Sequence, residues 1–238
     1  MDKVWKEGAI PVSGRSKEAV ARVRPRLEEA LADKGLAFGA PIFIRIFKES
    51  KELEVWVYDG ARGVYELFRT YVIRNFSGTL GTKTKEGDRQ APEGFYSVTA
   101  RQLNPLSRFH LSFDIGYPNE YDRARGYTGS AIMVHGSWVS IGCFAMGDDN
   151  IEEIYALAEA ALRGGQKAFV VHVSPFRMIA EAMTAHEGST WMDFWRGIRT
   201  GYDYFEETHV PPEVSVREGE YVFRLMNEYG AANLQRPS

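Results

Sequence analysis

His135 and Cys143 are close together in the sequence and have the types and spacing of a base and a nucleophile. Cys143 is the only cysteine of the chain. One apolar, β-branched run ends at His135 and a second begins beside Cys143, so we expect two strands that meet at a tight connection. Such a connection would bring the imidazole within hydrogen-bond reach of the thiol, a pairing that generates a thiolate nucleophile. Residues 131–146 therefore predict the active site of a cysteine acyl-transfer enzyme.

The small and polar residues around Cys143 fit the same chemistry. Gly142 has no side chain, so a substrate carbonyl could approach the backbone, where N–H groups near Gly142 and Cys143 could bind an oxyanion. Gly136 lies in the connection, and Ser140 could orient a neighbouring group through its hydroxyl. An alternative stays open, because a lone cysteine in an apolar strand is commonly an inert core residue and a strand histidine a structural one.

The histidines do not indicate a metal site. They are dispersed along the chain, and none belongs to an HxH or HExxH pattern. They are His110, His135, His172, His186 and His209. The carboxylates of Asp114, Glu120 and Asp122 share one predicted loop, where we expect them to be solvated or to make loop hydrogen bonds. The sequence therefore predicts neither a metal nor another cofactor.

Composition limits the class of protein. With 238 residues and 44% hydrophobic content, the chain can bury a sizeable core without disulfides. A net charge of −3 gives no basic excess, so we expect no binding to nucleic acid phosphates. No stretch resembles a membrane span, and residues 1–16 lack the apolar core of a signal peptide. A single cysteine is compatible with oxidising and reducing compartments alike.

Hydrophobic periodicity predicts both helices and strands in the first half of the chain. A helical spacing runs from Ser16, the expected N-cap, to about Gly35, with a kink or short break at Pro25. The period then changes to two, and three runs are predicted to form an antiparallel meander: residues 41–48, 52–59 and 64–73. Residues 76–98 begin with a long loop whose glycines do not follow the phosphate-binding pattern GxxxxGK[ST].

The second half of the chain alternates the two element types. Further strands are predicted in three runs: residues 95–99, 109–113 and 167–173. A helix is expected after Gly147, with Asp149 and Glu152 at capping-box spacing, and it should end at Gly164. Helical patterns follow at residues 177–186 and 191–206, and the second is rich in aromatic residues. We expect these to pack against the β core, because no linker composition marks a domain boundary.

Several motifs in the chain resemble one known family. HGSWVSIGCFAM, residues 135–146, resembles the active-site signature of the L,D-transpeptidase (YkuD) domain family, in which His-Gly precedes a Ser-x-Gly-Cys element. GDRQAPEGFY, residues 87–96, is similar to the family's Thr-Pro-x-Gly-x-Tyr/Phe element. Four further segments are similar to the YafK-like branch of the family: residues 112–136, 140–155, 174–179 and 188–198. The chain is therefore identified as a member of this family over most of its length.

The resemblance implies an α+β fold, mainly a β-sandwich core of the YkuD type with added helices. Residues 1–40 would be an N-terminal helical extension packed on that core. Residues 41–238 would be the catalytic domain, with helical additions at its C-terminal end. The meander predicted from the periodicity is in keeping with such a core.

The resemblance also implies roles for the residues of the central motif. Cys143 would attack the carbonyl of a diaminoacid in a peptidoglycan stem peptide and form a thioester, with His135 as general base and acid. Ser140, Gly142 and Gly136 would shape the turn and supply orientation and oxyanion contacts. An amine acceptor would complete a transpeptidation without any cofactor.

Two alternatives to transpeptidation stay open. Water could attack the same acyl-enzyme, and the YafK-like branch includes an amidase that detaches an envelope lipoprotein from peptidoglycan. The second alternative is a non-catalytic peptidoglycan-binding module. The substrate implies a location in the periplasm or cell envelope, so we expect that a leader or anchor was removed and that membrane association would need such a segment.

The chain departs from the family pattern at two points. Most members carry a much longer insert between the His-Gly pair and the cysteine, whereas only residues 137–142 follow Gly136 here. The substrate groove is therefore expected to differ. Ala145 stands where an arginine is often found two residues after the cysteine, so no substrate contact is carried over to this position.

Overall fold

The computed structural model describes residues 10–226 and 232–235, and it is an α+β protein. The described helices are α1 (Gly14–Ala32), α2 (Glu120–Ala124), α3 (Asp148–Arg163), α4 (Ala180–Ala185) and α5 (Met192–Thr208), with a 3₁₀-helix at Ala100–Gln102. The described strands are β1 (Ile42–Phe47), β2 (Glu52–Asp59), β3 (Val64–Val72), β4 (Gly94–Thr99), β5 (Leu103–Asn104), β6 (Ser112–Asp114), β7 (Met133–His135), β8 (Phe144–Ala145), β9 (Ala168–Ser174), β10 (Glu213–Arg217), β11 (Glu220–Met226) and β12 (Ala232–Gln235). The predicted α+β class is confirmed, and the sandwich arrangement and the two domain boundaries stay predictions. Parts of the predicted domains lie outside the described residues, namely residues 1–9, 227–231 and 236–238.

The described strands form three sheets. A five-stranded sheet has the order β3–β2–β1–β9–β4, in which β1 and β9 are parallel and all other neighbours are antiparallel. A four-stranded sheet has the order β5–β6–β7–β8, and its last pair is parallel. The third sheet, β10–β11–β12, is antiparallel. The predicted meander is confirmed as β1–β2–β3, and the predicted strand over residues 167–173 is the buried β9.

Helix α1 differs from its prediction at its start and at its proline. Ser13, not Ser16, is the N-cap, and Ser16 is the partner that completes a capping box. The two serines stand three residues apart, so the sequence alone supports either as the cap. The helix is continuous through Pro25, so the alternative of a short break is wrong, and the kink stays a prediction. One face is fully buried and packs against α3: Ala19, Val23, Leu27 and Leu31.

Two other element predictions need correction. Helix α3 starts after Gly147, whose φ of +79° is easy only for glycine, and no side chain caps it. Glu152 is not part of a capping box, because its carboxylate binds Arg22 and His110 instead. The strand predicted for residues 109–113 begins only at Ser112, and the short helix α2 interrupts the loop that follows. The end of α3 at Gly164 is confirmed.

The C-terminal elements cover one face of the five-stranded sheet, as the aromatic residues predicted. Phe205 of α5 packs against Phe43 and Trp56, with ring centroids 4.6 and 4.9 Å away. Near the start of the same helix, Trp195 is buried and meets the Phe176 ring edge to face, with the centroids 5.2 Å apart. Among the described residues, none of the helices has the length and hydropathy needed to cross a bilayer.

Candidate active site

Cys143 immediately precedes β8, and His135 ends the neighbouring strand β7, where it lies opposite Ala145. The prediction of two adjacent strands is confirmed, but they run parallel. Their connection therefore has to return along the pair, a path that usually takes about a dozen residues or more. Here it is shorter, and both ends use left-handed backbone, with φ of +63° at Ser137 and +94° at Gly142.

The imidazole of His135 is buried and held in one tautomer. Its Nδ1 lies 2.5 Å from the carbonyl oxygen of Gly136, which can only accept, so Nδ1 carries the proton and Nε2 keeps a free lone pair. Burial lowers the pKa of His135 from its ordinary value, and the bond to Gly136 opposes that shift. The ring of Phe109 packs against the imidazole at a centroid distance of 4.7 Å. His135 is thus a neutral base at pH 7.

The thiol of Cys143 is half-buried and makes two hydrogen bonds to backbone. Its Sγ accepts from the Met133 N–H at 3.3 Å and donates to the Ala131 carbonyl at 3.6 Å. Burial raises the pKa of the thiol, and the charge of Asp114 acts in the same direction. The Met133 N–H and the charge of Lys83 oppose this shift. The resting group is therefore a neutral thiol, which needs a base to become a nucleophile.

Thiol and imidazole are not hydrogen-bonded to each other in the part of the chain that the structure describes. Sγ of Cys143 is turned toward the backbone at the start of β7, and the Nδ1 of His135 is turned toward the Gly136 carbonyl. Rotation about the Cα–Cβ bond of Cys143 would release Ala131 and move the sulfur. Catalytic hydrogen bonds commonly tighten only when substrate binds, so the pairing of these groups stays a prediction.

Two serines hold the turn that precedes the thiol. The Ser140 hydroxyl donates to the carbonyl oxygen of Cys143. The hydroxyl of Ser77 accepts from the Gly142 N–H at 2.9 Å and donates to the Ser140 carbonyl at 3.0 Å. Ser140 thus orients backbone rather than the thiol itself. Sequence reasoning missed Ser77, because it is 63 residues from Ser140 in the chain and no local pattern marks it.

The backbone donors around the turn are not equally available. The Gly142 N–H donates to the Ser77 hydroxyl, and the Gly136 N–H donates to the Leu111 carbonyl at 3.1 Å. Within residues 10–226 and 232–235, the N–H of Cys143 has no hydrogen-bond acceptor. Of the predicted oxyanion donors, the Cys143 N–H is therefore the one left free to bind a developing negative charge beside Sγ.

Gly136 has a steric role that the sequence did not reveal. A Cβ at this position would lie 2.8 Å from the Phe109 carbonyl oxygen and 2.6 Å from Oδ1 of Asp148. The same Asp148 oxygen accepts from the Ser137 N–H at 2.7 Å. Gly136 thus lets the chain pass between the segment that precedes β6 and the start of α3, on its way toward Cys143.

A buried ion pair supports the loop that carries Ser77. Nζ of Lys48 lies 2.9 Å from the Glu93 carboxylate and also donates to the carbonyls of Gly81 and Ala91, at 2.7 and 3.0 Å. The indole N–H of Trp195 donates to the other Glu93 oxygen at 2.7 Å. Both charged side chains are completely buried. The network ties both arms of this loop to β1 and α5.

An exposed apolar segment lies between the two reactive residues in the chain. Trp138, Val139 and Ile141 have 61%, 63% and 72% of their surface exposed. The guanidinium of Arg74 stacks on the Trp138 ring, 5.1 Å from its centroid. These side chains form the rim of the connection that leads to Cys143.

The carboxylates singled out in the sequence do not form a metal site with the thiol of Cys143. Asp122 accepts from the Asn119 N–H at 3.0 Å and from the Tyr96 hydroxyl at 3.2 Å, and burial raises its pKa to about 6. Asp114 accepts from the Gly116 N–H at 2.8 Å. Asp114 makes the predicted loop hydrogen bond, whereas Asp122 lies in α2 and completes the capping box of that helix. Among the described residues, no group of three or more His, Cys, Asp or Glu side chains could hold a metal ion.

The chain is similar in sequence to a known family of proteins. Residues 43–173 match the L,D-transpeptidase catalytic domain, the YkuD family. The protein named "Putative L,D-transpeptidase YafK" in Escherichia coli strain K12 is 47% identical over 184 residues, which covers 77% of this chain and 74% of that protein; the YafK of strain O157:H7 gives the same values.

Two solved structures have a more distant similarity. The helical cell shape determining protein Pgp2 from Campylobacter jejuni has a TM-score of 0.46 and 17% identity, covering 88% of this chain and 98% of that chain. Bd1075 from Bdellovibrio bacteriovorus has a TM-score of 0.41 and 13% identity, covering 83% and 91%. From the family match and the YafK identity, the chain belongs to the YkuD family of L,D-transpeptidase catalytic domains.

Proposed function

We propose that the protein is a peptidoglycan-remodelling cysteine enzyme of the L,D-transpeptidase type. The observation that carries the proposal is the bond from Nδ1 of His135 to Gly136, which leaves a neutral, basic Nε2 on the strand beside a half-buried thiol. Membership of the family supports peptidoglycan as the substrate. Cys143 is the nucleophile, and His135 is the general base and acid.

The first half-reaction forms a thioester. Nε2 of His135 takes the thiol proton while the sulfur of Cys143 attacks the carbonyl carbon of the stem-peptide diaminoacid. A C–S bond forms, and the negative charge on the carbonyl oxygen is bound by the Cys143 N–H. When the carbonyl re-forms, the C–N bond breaks and the imidazolium gives its proton to the leaving amine. The acyl group is then held on sulfur, and His135 is neutral again.

The second half-reaction decides the outcome. An amine acceptor attacks the thioester while His135 removes a proton from its nitrogen. A C–N bond forms, the C–S bond breaks, and the thiolate recovers its proton from the imidazolium. If water attacks instead, the product is a free carboxyl group and the protein is an amidase that releases a stem peptide or an attached envelope lipoprotein. Transfer and hydrolysis therefore differ only in the acceptor.

The remaining motif residues are assigned to orientation. Ser140 fixes the carbonyl of Cys143, and Gly142 allows the left-handed turn just before the thiol. The carbonyl oxygen of Gly136 accepts the hydrogen bond from the Nδ1–H of His135, and this bond selects the tautomer. Ser77 joins this group because it binds both ends of the turn.

The proposed substrate sets the proposed location. Peptidoglycan lies outside the cytoplasmic membrane, so we place the protein in the periplasm or cell envelope. Membrane association would require a leader or anchor segment beyond the elements described above.

Acylation of Cys143 is the direct test of the nucleophile. The intact protein is incubated with a carbapenem, whose β-lactam carbonyl stands in for the stem-peptide carbonyl, and its mass is measured. We expect one adduct on Cys143, none in Cys143→Ser, and adduct formation at least a hundredfold slower in His135→Gln, which lacks the base. Ser50→Ala removes an exposed hydroxyl that bonds Glu52 and none of the site residues; it is the matched control and should react like the parent. An unmodified Cys143 would favour the non-catalytic binding module and overturn the proposal.

Muropeptides separate transfer from hydrolysis. The protein is incubated with disaccharide tetrapeptides and, separately, with lipoprotein-bearing muropeptides, and the products are resolved by liquid chromatography and mass spectrometry. New cross-links support the transferase. Free stems or released lipoprotein fragments without new cross-links support the amidase and overturn transfer as the main activity.

A further inference from the structure

A cavity of about 920 Å³ lies away from the thiol, between one face of the five-stranded sheet and the hairpin β10–β11. Neither Cys143 nor His135 lines it. Its floor is formed by Val170 and His172 of β9 and by Phe95 of β4, and residues of β10 form the facing wall. Its volume is within the range of about 300–1,000 Å³ that small-molecule sites occupy. The proposed reaction makes no use of this space.

His172 is the polar group in the floor that most needs a partner. Its side chain is 5% exposed, and it lies between the rings of Phe43 and Phe95, at centroid distances of 4.6 and 4.7 Å. Neither ring nitrogen has a hydrogen-bond partner in the described part of the chain. The sealed side-chain atoms without a partner in the described residues lie elsewhere, so the His172 nitrogens open toward the cavity, where a ligand can supply their hydrogen bonds.

The ligand group that meets His172 should be polar but uncharged. Burial and the nearby Arg45 charge lower the pKa of His172 to about 3, so the ring is neutral and offers one donor and one acceptor. A hydroxyl or an amide provides the matching acceptor and donor. A carboxylate or phosphate would leave the acceptor nitrogen unmatched.

The walls combine aromatic rings with neutral polar groups. Tyr65 and Tyr221 line the cavity together with Phe95, and Ser215 lies on its side with a hydroxyl that donates to the Val222 carbonyl and can still accept. Gln166 is also in the lining, but its amide is bonded to the backbone of Ile42 at 3.0 and 2.9 Å. Charged side chains also contribute, but they are exposed and of both signs: Arg123, Arg217, Arg224, Glu120 and Glu213. Flat rings beside neutral hydrogen-bonding groups suit a saccharide, which presents C–H faces and a ring of hydroxyl and acetamido groups.

Extension of the sheet by a peptide at β4 is disfavoured, because three outward backbone groups of that strand are already bonded. The Phe95 carbonyl accepts from the Asn119 amide at 2.8 Å, and the Phe95 N–H donates to the Tyr221 hydroxyl at 3.5 Å. The Ser97 carbonyl accepts from the Gln102 amide at 3.1 Å. Strand addition needs free groups along such an edge, so the cavity favours side-chain recognition of a glycan.

We propose that this cavity is a second binding site that takes an N-acetylated amino-sugar unit of a peptidoglycan glycan strand, with His172 bonded to a hydroxyl or acetamido group. The polymer named here rests on the proposed function. A second contact with the same polymer would raise the concentration of stem peptides near Cys143 without entering the chemistry. Loss of the cavity would then weaken action on whole sacculi and leave carbapenem acylation unchanged.

Binding is tested on the full chain carrying Cys143→Ala, so that catalysis plays no part. The ring signals of histidines labelled with ¹⁵N and ¹³C are followed by NMR while N,N′-diacetylchitobiose is added, and a stem tetrapeptide without sugar is the comparison probe. We expect saturable shifts of the His172 signals with the disaccharide and none with the peptide. His172→Phe keeps the ring shape among its aromatic neighbours, and its binding is compared with that of the parent by isothermal titration calorimetry. It should bind about fivefold more weakly or worse, the loss expected for one hydrogen bond.

Two further variants keep the test independent of folding. Ser215→Trp places a large side chain in the cavity from an exposed strand position and should abolish the His172 shifts. His186→Phe makes the same exchange outside the cavity, where the histidine bonds Glu49, and should bind like the parent. No saturable shift at about 10 mM disaccharide, or shifts with the peptide alone, would overturn the proposal. Carbapenem acylation of the Cys143 protein reports on the proposed function separately, whichever result is obtained.

Discussion

The five-stranded sheet and the four-stranded sheet hold their polar groups in different ways. Strands β1, β2 and β3 are 6, 8 and 9 residues long, and the ammonium of Lys48 beside them is bound by three acceptors at 2.7–3.0 Å. Strands β7 and β8 are only 3 and 2 residues long, and the thiol of Cys143 makes two bonds of 3.3 and 3.6 Å.

This difference assigns stability and reactivity to separate parts of the molecule. A fully bonded charge in the core cannot be changed without a large loss, whereas a weakly bonded thiol at the end of a short strand can turn toward a base at little cost. Variants near Lys48 should therefore change mainly the free energy of unfolding, and variants near Cys143 should change mainly the rate of acylation.

Lys48→Met is expected to have the largest effect. It leaves Glu93 buried without its cation, which should lower the free energy of unfolding by about 3–5 kcal/mol. Urea denaturation at pH 7 measures the change. Lys17→Met, an exposed position on α1, is the matched control and should stay within about 0.5 kcal/mol. The double variant Lys48→Met, Glu93→Gln should recover part of the loss, and a double variant that is less stable still would contradict the explanation.

Gly136→Ala should affect both measurements. The added methyl would lie 2.8 Å from a backbone carbonyl, so the chain has to shift, at a cost of about 1–3 kcal/mol. The shift also moves the carbonyl that holds His135, so carbapenem acylation should slow by at least tenfold. Gly188→Ala, where the methyl meets nothing within 4 Å, serves as the control. Equal stability of the two alanine variants would show that the close approach is not limiting.

Ser77→Ala should act on acylation more than on stability. It removes the hydroxyl that joins the Gly142 N–H to the Ser140 carbonyl, so the turn before the thiol loses its fixed shape. We expect about a tenfold lower acylation rate and a stability loss near 1 kcal/mol. Ser77→Thr keeps the hydroxyl and should restore most of the rate. If Ser77→Thr is as slow as Ser77→Ala, the hydroxyl is not what positions the turn.

The smallest effects are expected in the pH dependence. Burial lowers the pKa of His135, so the neutral base persists to lower pH than for free histidine, and the acid limb of kcat/KM should lie below the pKa of free histidine. Burial raises the pKa of Cys143, so in His135→Gln alkylation by iodoacetamide should rise only above the pKa of free cysteine. A pH–rate profile of each protein measures both limbs. Rapid alkylation near pH 7 in His135→Gln would mean that the thiolate forms without the imidazole.

The sequence predicted the elements with strong periodicity and the residues with recognisable chemistry. The meander β1–β3, the buried β9 and the end of α3 at Gly164 follow from local patterns, because each depends on neighbours within one element. The same local patterns predict that His135 ends one strand and that Cys143 lies beside the start of the adjacent strand. Their parallel direction was not predictable, since two apolar runs with a short gap more often form a hairpin.

Contacts between distant segments were missed. Ser77 lies in a loop without any distinctive pattern, and only the folded chain brings its hydroxyl to the turn before Cys143. Lys48 follows β1 and resembles an ordinary exposed lysine in the sequence, yet it is completely buried against Glu93. The choice of Ser16 as N-cap was wrong because Ser13 and Ser16 bond each other, and the local pattern does not distinguish the two.

The connection between β7 and β8 begins and ends on the same small sheet, and its apolar tip faces outward. Trp138, Val139 and Ile141 could therefore be exchanged as one cassette for the corresponding residues of another family member, without altering the strands that carry the two reactive side chains. Such chimaeras would show how far substrate preference depends on this exposed segment while His135 and Cys143 stay in place.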